Sequence, residues 1–421
     1  MNCPVCDESQ FVPLMGAHGA AGMRCQGCGC VALDAAPAAD SSAMHADTVW
    51  RYPPRYLKTL KRRGFHGGSL LDPATVSGEL APGTYDAAIM LHQLQRQAAP
   101  GHLLETTRRA LRPGAPLLLT VPRADLRRTA ASGDRWGFDE TTIQLLLLRH
   151  GFHEVLVRKQ GGSIIATAVR GEPSVRPKCS IIVAVFNEHQ TFPILMDALL
   201  KKEIAGVERE IIVIESNSTD GTRELAKQYQ DHPAIKLVLQ DRPQGKGHAV
   251  REGLRQATGD ILLIQDADLE YNLDDYDALL EPLLSHRALF VLGTRHGGNW
   301  KMREFARQKV LSTGMNLGHA FFTGVINVLF RQHMTDPFTM FKVFHRDCLF
   351  GLTLQCDRFD FDHELVIKLV RKGYRPLEIP VNYRSRSFRE GKKVRLFRDP
   401  FTWIWVDLKL RFARVLPKNL R

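Results

Sequence analysis

From residue 178 onward, short unbroken apolar runs alternate with segments whose apolar positions recur every third or fourth residue. The runs suit strands buried on both faces of a largely parallel sheet, and the longer rhythm suits the helices that cross over between them. In order, this predicts a strand in CSIIVAVFNE, a helix in TFPILMDALLKK and a strand in REIIVIESNSTDGT, where Asp220 and Gly221 turn into the helix TRELAKQY. A strand in IKLVLQ, a Gly-rich loop and helix in GKGHAVREGLRQATG, and a strand over Ile261–Ile264 follow. Residues 50–170 show a second α/β alternation. It runs through a strand in TYDAAIMLHQLQ, a helix in HLLETTRRALRPG, a strand in APLLLTVPR, a helix in TTIQLLLLRHGF and strands in HEVLVRK and SIIATAVR. Pro173 and Pro177 mark residues 171–178 as a linker, and the Ala-, Pro- and Ser-rich stretch from Ala35 to Ala46 as a connector. The expected order is a small module over 1–35, α/β domains over 50–170 and 179–398, and a C-terminal amphipathic helix over 399–421.

Chemistry concentrates at the end of the Ile261–Ile264 run, where Asp266, Asp268 and Glu270 occupy every second position. If the backbone stays extended there, the three carboxylates share a face. Mutually repelling carboxylates at a strand end suit a hard divalent cation, Mg²⁺ or Mn²⁺, and ligands of open α/β sheets bind at the carboxyl ends of strands. The alternative is a solvated turn leading into Asp274, Asp275 and Asp277.

Five of the eight cysteines fall within the first 30 residues: Cys3 and Cys6 in CPVC, Cys25 and Cys28 in CQGC, and Cys30. Two such pairs let four thiolates close around Zn²⁺ with no position left open, so a structural zinc ribbon is expected, with Cys30 spare. Cys179, Cys348 and Cys356 are scattered, which fits a reducing compartment and excludes a disulfide scaffold. MNCPVCDESQ lacks a basic region followed by an apolar one, which predicts no signal peptide and a cytoplasmic protein. With 421 residues, 44% hydrophobic, the chain is long enough for two or three globular domains. The net charge of +12 calls for an anionic partner: a nucleotide-sugar, nucleic acid or an anionic membrane face. No apolar run reaches spanning length.

Read together, VAVFNE, ESNSTDGT, GKGHAVREGL, QDADLEY, LGTRH, TDPFTMFKVFHRD, the segment from Phe359 to Lys393 and the terminal WVDLKLRF resemble family 2 glycosyltransferases, over residues 178–415. Within that family they are similar to polyprenyl-phosphate sugar synthases, such as dolichyl-phosphate mannose and glucose synthases. The resemblance implies the GT-A fold, a nucleotide-sugar-binding, mostly parallel sheet flanked by helices. It implies that Phe186, Asn187 and Glu188 contact the nucleotide, that Lys246 and Gly247 lie close to the nucleoside, and that Asp266, Asp268 and Glu270 hold the metal. Glu215 stands where the family usually has an Asp that bonds base or ribose, in ESNS instead of DDGS. Arg295 in GTRH matches an Arg that reaches phosphate.

Residues 50–170 resemble the second half of a class I S-adenosylmethionine-dependent methyltransferase, a family that often carries a zinc ribbon in front. The cofactor half is the departure. Only Gly67 and Gly68 precede SLLDPATVSG, with no GxGxG, and Tyr85 stands 17 positions after Gly68. A βαβ unit needs about 30. A truncated, methyltransferase-like domain that binds no S-adenosylmethionine is expected, kept for packing, docking or regulation.

In the implied reaction, C1 of the sugar bonds to the acceptor as the nucleoside diphosphate leaves, and a divalent cation takes up the growing charge. The family inverts at C1. A polyprenyl phosphate acceptor is already anionic, whereas a saccharide hydroxyl needs a base, for which Asp336 in TDPFT and Asp362 or Glu364 in FDFDHEL are candidates. Asp268 and Arg295 complete the catalytic set. The basic run Arg384, Arg386, Arg389, Lys392, Lys393, Arg395 and Arg398 is expected to hold the acceptor's phosphate, or else to be a solvated face. Its aromatics do not alternate with the basic residues, which argues against nucleic acid. From Pro400 to Leu416, Phe401, Trp405, Leu408, Phe412 and Val415 fall on one side and Asp407, Arg411 and Arg414 on the other. That apolar side suits either a membrane interface, making the protein peripheral, or packing on the domain. Two other functions stay open: transfer to a saccharide hydroxyl in polysaccharide or glycan synthesis, and a scaffold role for the N-terminal modules. A nucleotidylyltransferase is disfavoured, because the first strand lacks a Gly-rich loop with Arg and Pro-Lys.

Overall fold

The computed structural model describes residues 2–15, 21–33, 52–76, 79–123, 134–172, 176–296, 309–386, 399–417 and 420. Two compact units result, one holding Met1–Val175 and the other Arg176–Leu284 with Ala288–Asn419, so the division falls inside the expected linker.

In the second unit the four apolar runs become strands β1 (Lys178–Val185), β2 (Glu208–Glu215), β3 (Ile235–Leu239) and β4 (Ile261–Asp266), and the fold adds β5 (Phe290–Thr294), β6 (Lys342–His345) and β7 (Leu377–Pro380). They form one sheet in the order β3-β2-β1-β4-β6-β5-β7. β1 to β4 are parallel, β6 runs antiparallel to both neighbours, and β7 is parallel to β5. The helices are α1 (Phe192–Lys201), α2 (Thr222–Lys227), α3 (Lys246–Gln256), α4 (Tyr276–Leu284), α5 (Lys309–Phe330), α6 (Asp360–Lys372) and α7 (Asp399–Phe412). Ile181, Ile182, Val183, Ile211, Leu263 and Ile264 are fully buried, which is why these strands carry no polar alternation. Each such side chain contributes roughly 1.5–3 kcal/mol. This is the mixed α/β fold class that the sequence predicts. β1, β2 and β4 all deliver their carboxyl ends to one edge, where the charged residues lie.

The N-terminal unit holds two sheets. Phe11–Met15, Ala21–Cys25 and Val31–Leu33 form an antiparallel ribbon, and Trp136–Gly137 adds a fourth strand to it. The ribbon is therefore built into the unit, and is not a detached module ending at residue 35. Arg149 Nη1 donates to Val5 O at 2.9 Å, and Leu33 N–H to Arg135 O at 2.9 Å. The other sheet has five strands: Leu70–Leu71, Ala87–Leu91 and Pro116–Pro122 parallel, then Ser163–Arg170 and Phe152–Gln160 antiparallel. Sequence reading missed the two-residue strand at Leu70 and the helix Pro54–Arg62, because a two-residue strand carries no measurable period. No helix among the described residues is long and apolar enough to cross a membrane.

Candidate active site

Two loops are stitched together at the ends of β1 and β2. Asn187 takes a left-handed backbone, φ 50°, which a short polar side chain tolerates. Its N–H donates to Ser218 Oγ, and its Oδ1 accepts from Thr219 N–H, both at 2.9 Å. Glu188 N–H donates to Thr222 Oγ1 at 2.9 Å. Phe186 is half-buried at the same exit. Glu215 is fully buried, and its carboxylate accepts from Ser218 N–H at 2.6 Å and Arg223 Nη1 at 2.7 Å. The longer side chain reaches back to close its own loop.

Lys246 opens α3 behind Gly245, whose φ of 102° favours glycine. A Cβ on Gly247 would lie 2.5 Å from Phe361 Cβ and 2.7 Å from Cys356 O, so glycine lets α3 pack against that segment. Lys246 Nζ lies 2.8 Å from Asp266 Oδ2. Burial alone would lower this ammonium, but Asp266, Asp362 and Asp268 outweigh it and raise its pKa.

β4 ends at Asp266, and Leu269 has φ 58°, so the chain turns instead of staying extended. The expected shared face therefore does not extend to Glu270. Among the described residues, the acidic triplet is not a set of three ligand atoms drawn together within 4.8 Å; the four N-terminal cysteines are. Glu270 is held by Tyr383 O–H, donating to Oε2 at 2.8 Å, and by Arg386 N–H, donating to Oε1 at 2.7 Å. The Arg386 guanidinium lies 2.9 Å from Asp268 Oδ2, and forks onto Glu188 at 2.9 and 3.2 Å. Burial, then Asp266 and Glu270, push Asp268 up to about 7 against the pull of Arg386 and Lys246. Two carboxylates at 266 and 268, crowded by like charge and balanced only by side-chain cations, are a donor set that fits a hard divalent cation.

Asp336 and Glu364 are not placed as bases. Asp336 is fully buried, and its oxygens take Arg295 Nε and Nη2 at 2.7 Å each, Arg295 N–H at 3.0 Å and His319 Nε2 at 2.9 Å. Burial would raise its pKa, but the Arg295 charge holds it well below the usual carboxylate range. Arg295, expected on phosphate, is bound to this partner and lies over the Tyr383 ring at 5.2 Å. Glu364 is buried on α6, accepting Gln355 N–H at 2.8 Å, Cys356 N–H at 2.7 Å and Lys368 Nζ at 2.5 Å. Asp362 pairs with the buried Lys342 at 2.8 Å. A base must present a free lone pair to the acceptor; Asp336 and Glu364 present theirs to the protein. His319 and Lys342 were missed because no motif marks a lone residue on an apolar helix or strand, and Tyr383 because it sits in a basic loop read for its arginines.

Arg384 is exposed, and its N–H donates to Glu270 O at 2.8 Å. It lines a cleft of about 650 Å³ together with Lys201, Lys202, Leu195, Leu269 and Tyr383. Lys392 and Lys393, with Arg389, Arg395 and Arg398, lie outside the described residues. On α7 the side read as apolar faces outward and the side of Asp407 faces inward. Asp407 is fully buried with Oδ1 2.8 Å from His363 Nδ1, and Val406 and Leu410 are buried beside it, while Trp405 is 68% and Phe412 83% exposed. In the N-terminal unit Cys3 and Cys28 Sγ lie 3.5 Å apart, as do Cys6 and Cys25 Sγ, all free thiols. Sulfurs of a tetrahedral zinc–thiolate site are spaced at roughly 3.8 Å. Cys30 instead donates its S–H to Gly137 O.

Residues 180–350 match the family described as glycosyl transferase family 2. The chain is 26% identical over 217 residues to a dolichol-phosphate mannosyltransferase of Pyrococcus furiosus, covering 51% of this chain and 59% of that protein. It is 26% identical over 231 residues to a dolichyl-phosphate beta-glucosyltransferase of Trichomonas vaginalis, covering 52% and 68%. Among solved structures, glucosyl-3-phosphoglycerate synthase from Mycobacterium tuberculosis with UDP aligns at 20% identity and a TM-score of 0.40, over 57% of this chain and 82% of that one.

Proposed function

We propose that the second unit is an inverting, metal-dependent glycosyltransferase that moves a sugar from a nucleotide-sugar, GDP- or UDP-linked, to a polyprenyl phosphate. The observation that carries the acceptor class is the state of the carboxylates set aside as bases. Asp336 and Glu364 are buried and saturated, so a hydroxyl acceptor finds no base in them, whereas a phosphate acceptor needs none. The names of the two relatives point to the same acceptor class. Asp266 and Asp268 would hold Mg²⁺ or Mn²⁺, which supplies charge stabilisation for the leaving diphosphate. Glu270 orients the Tyr383–Arg386 segment beside them. Lys246 neutralises Asp266, and the loops from 186 to 188 and 215 to 223 form the nucleotide's wall.

Exposed apolar residues on α5 (Phe321, Val328) and α7 (Trp405, Phe412) support peripheral attachment to a membrane face. The four N-terminal thiols support a structural Zn²⁺. At the end of the short strand Leu70–Leu71, Asp72 is occupied by Tyr52 O–H at 2.5 Å, Gln93 Nε2 at 2.7 Å and Ala74 N–H at 3.0 Å. A carboxylate closed in this way, in a sheet with two parallel pairings among the described residues, supports a methyltransferase remnant without cofactor that serves as a packing or docking scaffold.

The test is a transfer screen on the full chain. It pairs UDP- and GDP-sugars with Mg²⁺ or Mn²⁺, with and without a short polyprenyl phosphate. Metal-dependent product on the lipid is expected. Donor binding with transfer only to a saccharide would replace the acceptor assignment, and no donor binding would remove the enzymatic reading.

A further inference from the structure

We propose that Arg386 is the resident counterion of the divalent-cation site, and that cation binding exchanges it out of the carboxylates and frees it for an anionic ligand. This rests on the metal-dependent reading above. One guanidinium meets three carboxylates from two separate loops. It forks onto Glu188 with Nη1 and Nη2 at 2.9 and 3.2 Å, places Nη2 2.9 Å from Asp268 Oδ2, and keeps Nε 3.8 Å from Glu270 Oε1. Its own N–H is fixed to Glu270 at 2.7 Å, so the backbone delivers the side chain to this place. The planar fork of arginine suits such a task, since its donors match carboxylate oxygens pairwise.

The charge balance explains why a counterion is needed. Four carboxylates (Glu188, Asp266, Asp268 and Glu270) crowd one strand edge, and Lys246 pairs directly with Asp266 alone. Arg386 is paired with the other three. A divalent cation on Asp268 claims the same oxygen lone pairs and repels the guanidinium at contact distance. Asp268 Oδ2 already takes Arg386 Nη2 at 2.9 Å, so a cation that binds this oxygen displaces Arg386 from it. The Nη2 donor released from Asp268 then becomes available to an anionic ligand, while Nη1 keeps its contact with Glu188 at 2.9 Å. An anionic acceptor would meet a neutralised arginine before the metal arrives and an available one afterwards. That favours metal–donor binding first and acceptor second.

The experiment measures Mn²⁺ affinity of the full chain without donor, from the free-ion paramagnetic resonance signal. Wild type is compared with Arg386→Gln, Arg386→Lys and Asp268→Ala, each checked for native circular dichroism. If Arg386 competes with the ion, Arg386→Gln binds Mn²⁺ about tenfold more tightly than wild type, and Arg386→Lys falls between. A residue that only braces the loop would leave affinity unchanged or weaken it, and either result overturns the proposal. Should Arg386→Gln lose its fold, Arg386→Lys carries the comparison, since it removes the fork and keeps the charge. Asp268-dependent Mn²⁺ binding that is indifferent to Arg386 overturns this inference alone. Mn²⁺ binding that ignores Asp268, or none in any variant, overturns the metal reading with it.

Discussion

Asp336→Asn separates a structural carboxylate from a catalytic base. The side chain is fully buried and the Arg295 side chain 6% exposed, with two 2.7 Å contacts between them. The amide keeps the shape but removes the charge, and it turns an N–H₂ toward a donor. Breaking one partner of a buried pair costs about 3–5 kcal/mol, because the remaining charge stays buried. At roughly 2–4 °C per kcal/mol for a unit of this size, thermal unfolding should fall by about 6–20 °C. Differential scanning calorimetry reads this directly. Replacing both partners by apolar residues, Asp336→Leu with Arg295→Met, should recover much of the loss, since a buried ion pair is often no better than an apolar pair. The folded pKa of Asp336 is depressed, so its contribution is complete above the unfolded value near ~3.9 and is lost only as pH falls through the folded value. The pair should therefore impose no pH dependence on stability between pH 5 and 8. An Asp336→Asn protein that unfolds within about 2 °C of wild type, yet transfers no sugar, would refute this reasoning and restore the base.

Asp268→Ala should abolish transfer and Mn²⁺ binding while raising thermal stability slightly, because it removes a carboxylate that burial and like charge push up to about 7; full activity would remove the metal assignment. Purified protein should contain one zinc per chain by atomic absorption, and Cys3→Ser should release it and lower the melting temperature of the N-terminal unit. Calorimetric titration with S-adenosylmethionine should show no heat, and micromolar affinity would overturn the remnant reading of residues 50–170. Trp405→Ser with Phe412→Ser should cut co-sedimentation with anionic vesicles several-fold at unchanged melting temperature, since both side chains are exposed.

Local composition was enough to specify the first four strands of the second unit, because a strand buried on both faces must be apolar at every position, and Ile261–Ile264 or Ile211–Ile214 satisfy that in the bare sequence. The placing of Asp266 at a strand end follows from the same rule, and CxxC spacing brings each pair of thiols together, while the fold brings Cys3 to Cys28 and Cys6 to Cys25. What pairs with each charge was decided only in three dimensions. Asp336 meets Arg295 across 41 residues and Arg386 meets Glu188 across 198, so no window of sequence contains both partners. The turn at Leu269 depended on backbone packing beyond β4, and it took Glu270 off the face that strict alternation assigned to it. On α7, helical periodicity correctly separated two faces but not which one is inside. Asp407 went inward because His363 waits there, and Trp405 and Phe412 were left outward. Periodicity is a property of one segment, whereas the choice between its faces is a property of the surface it meets.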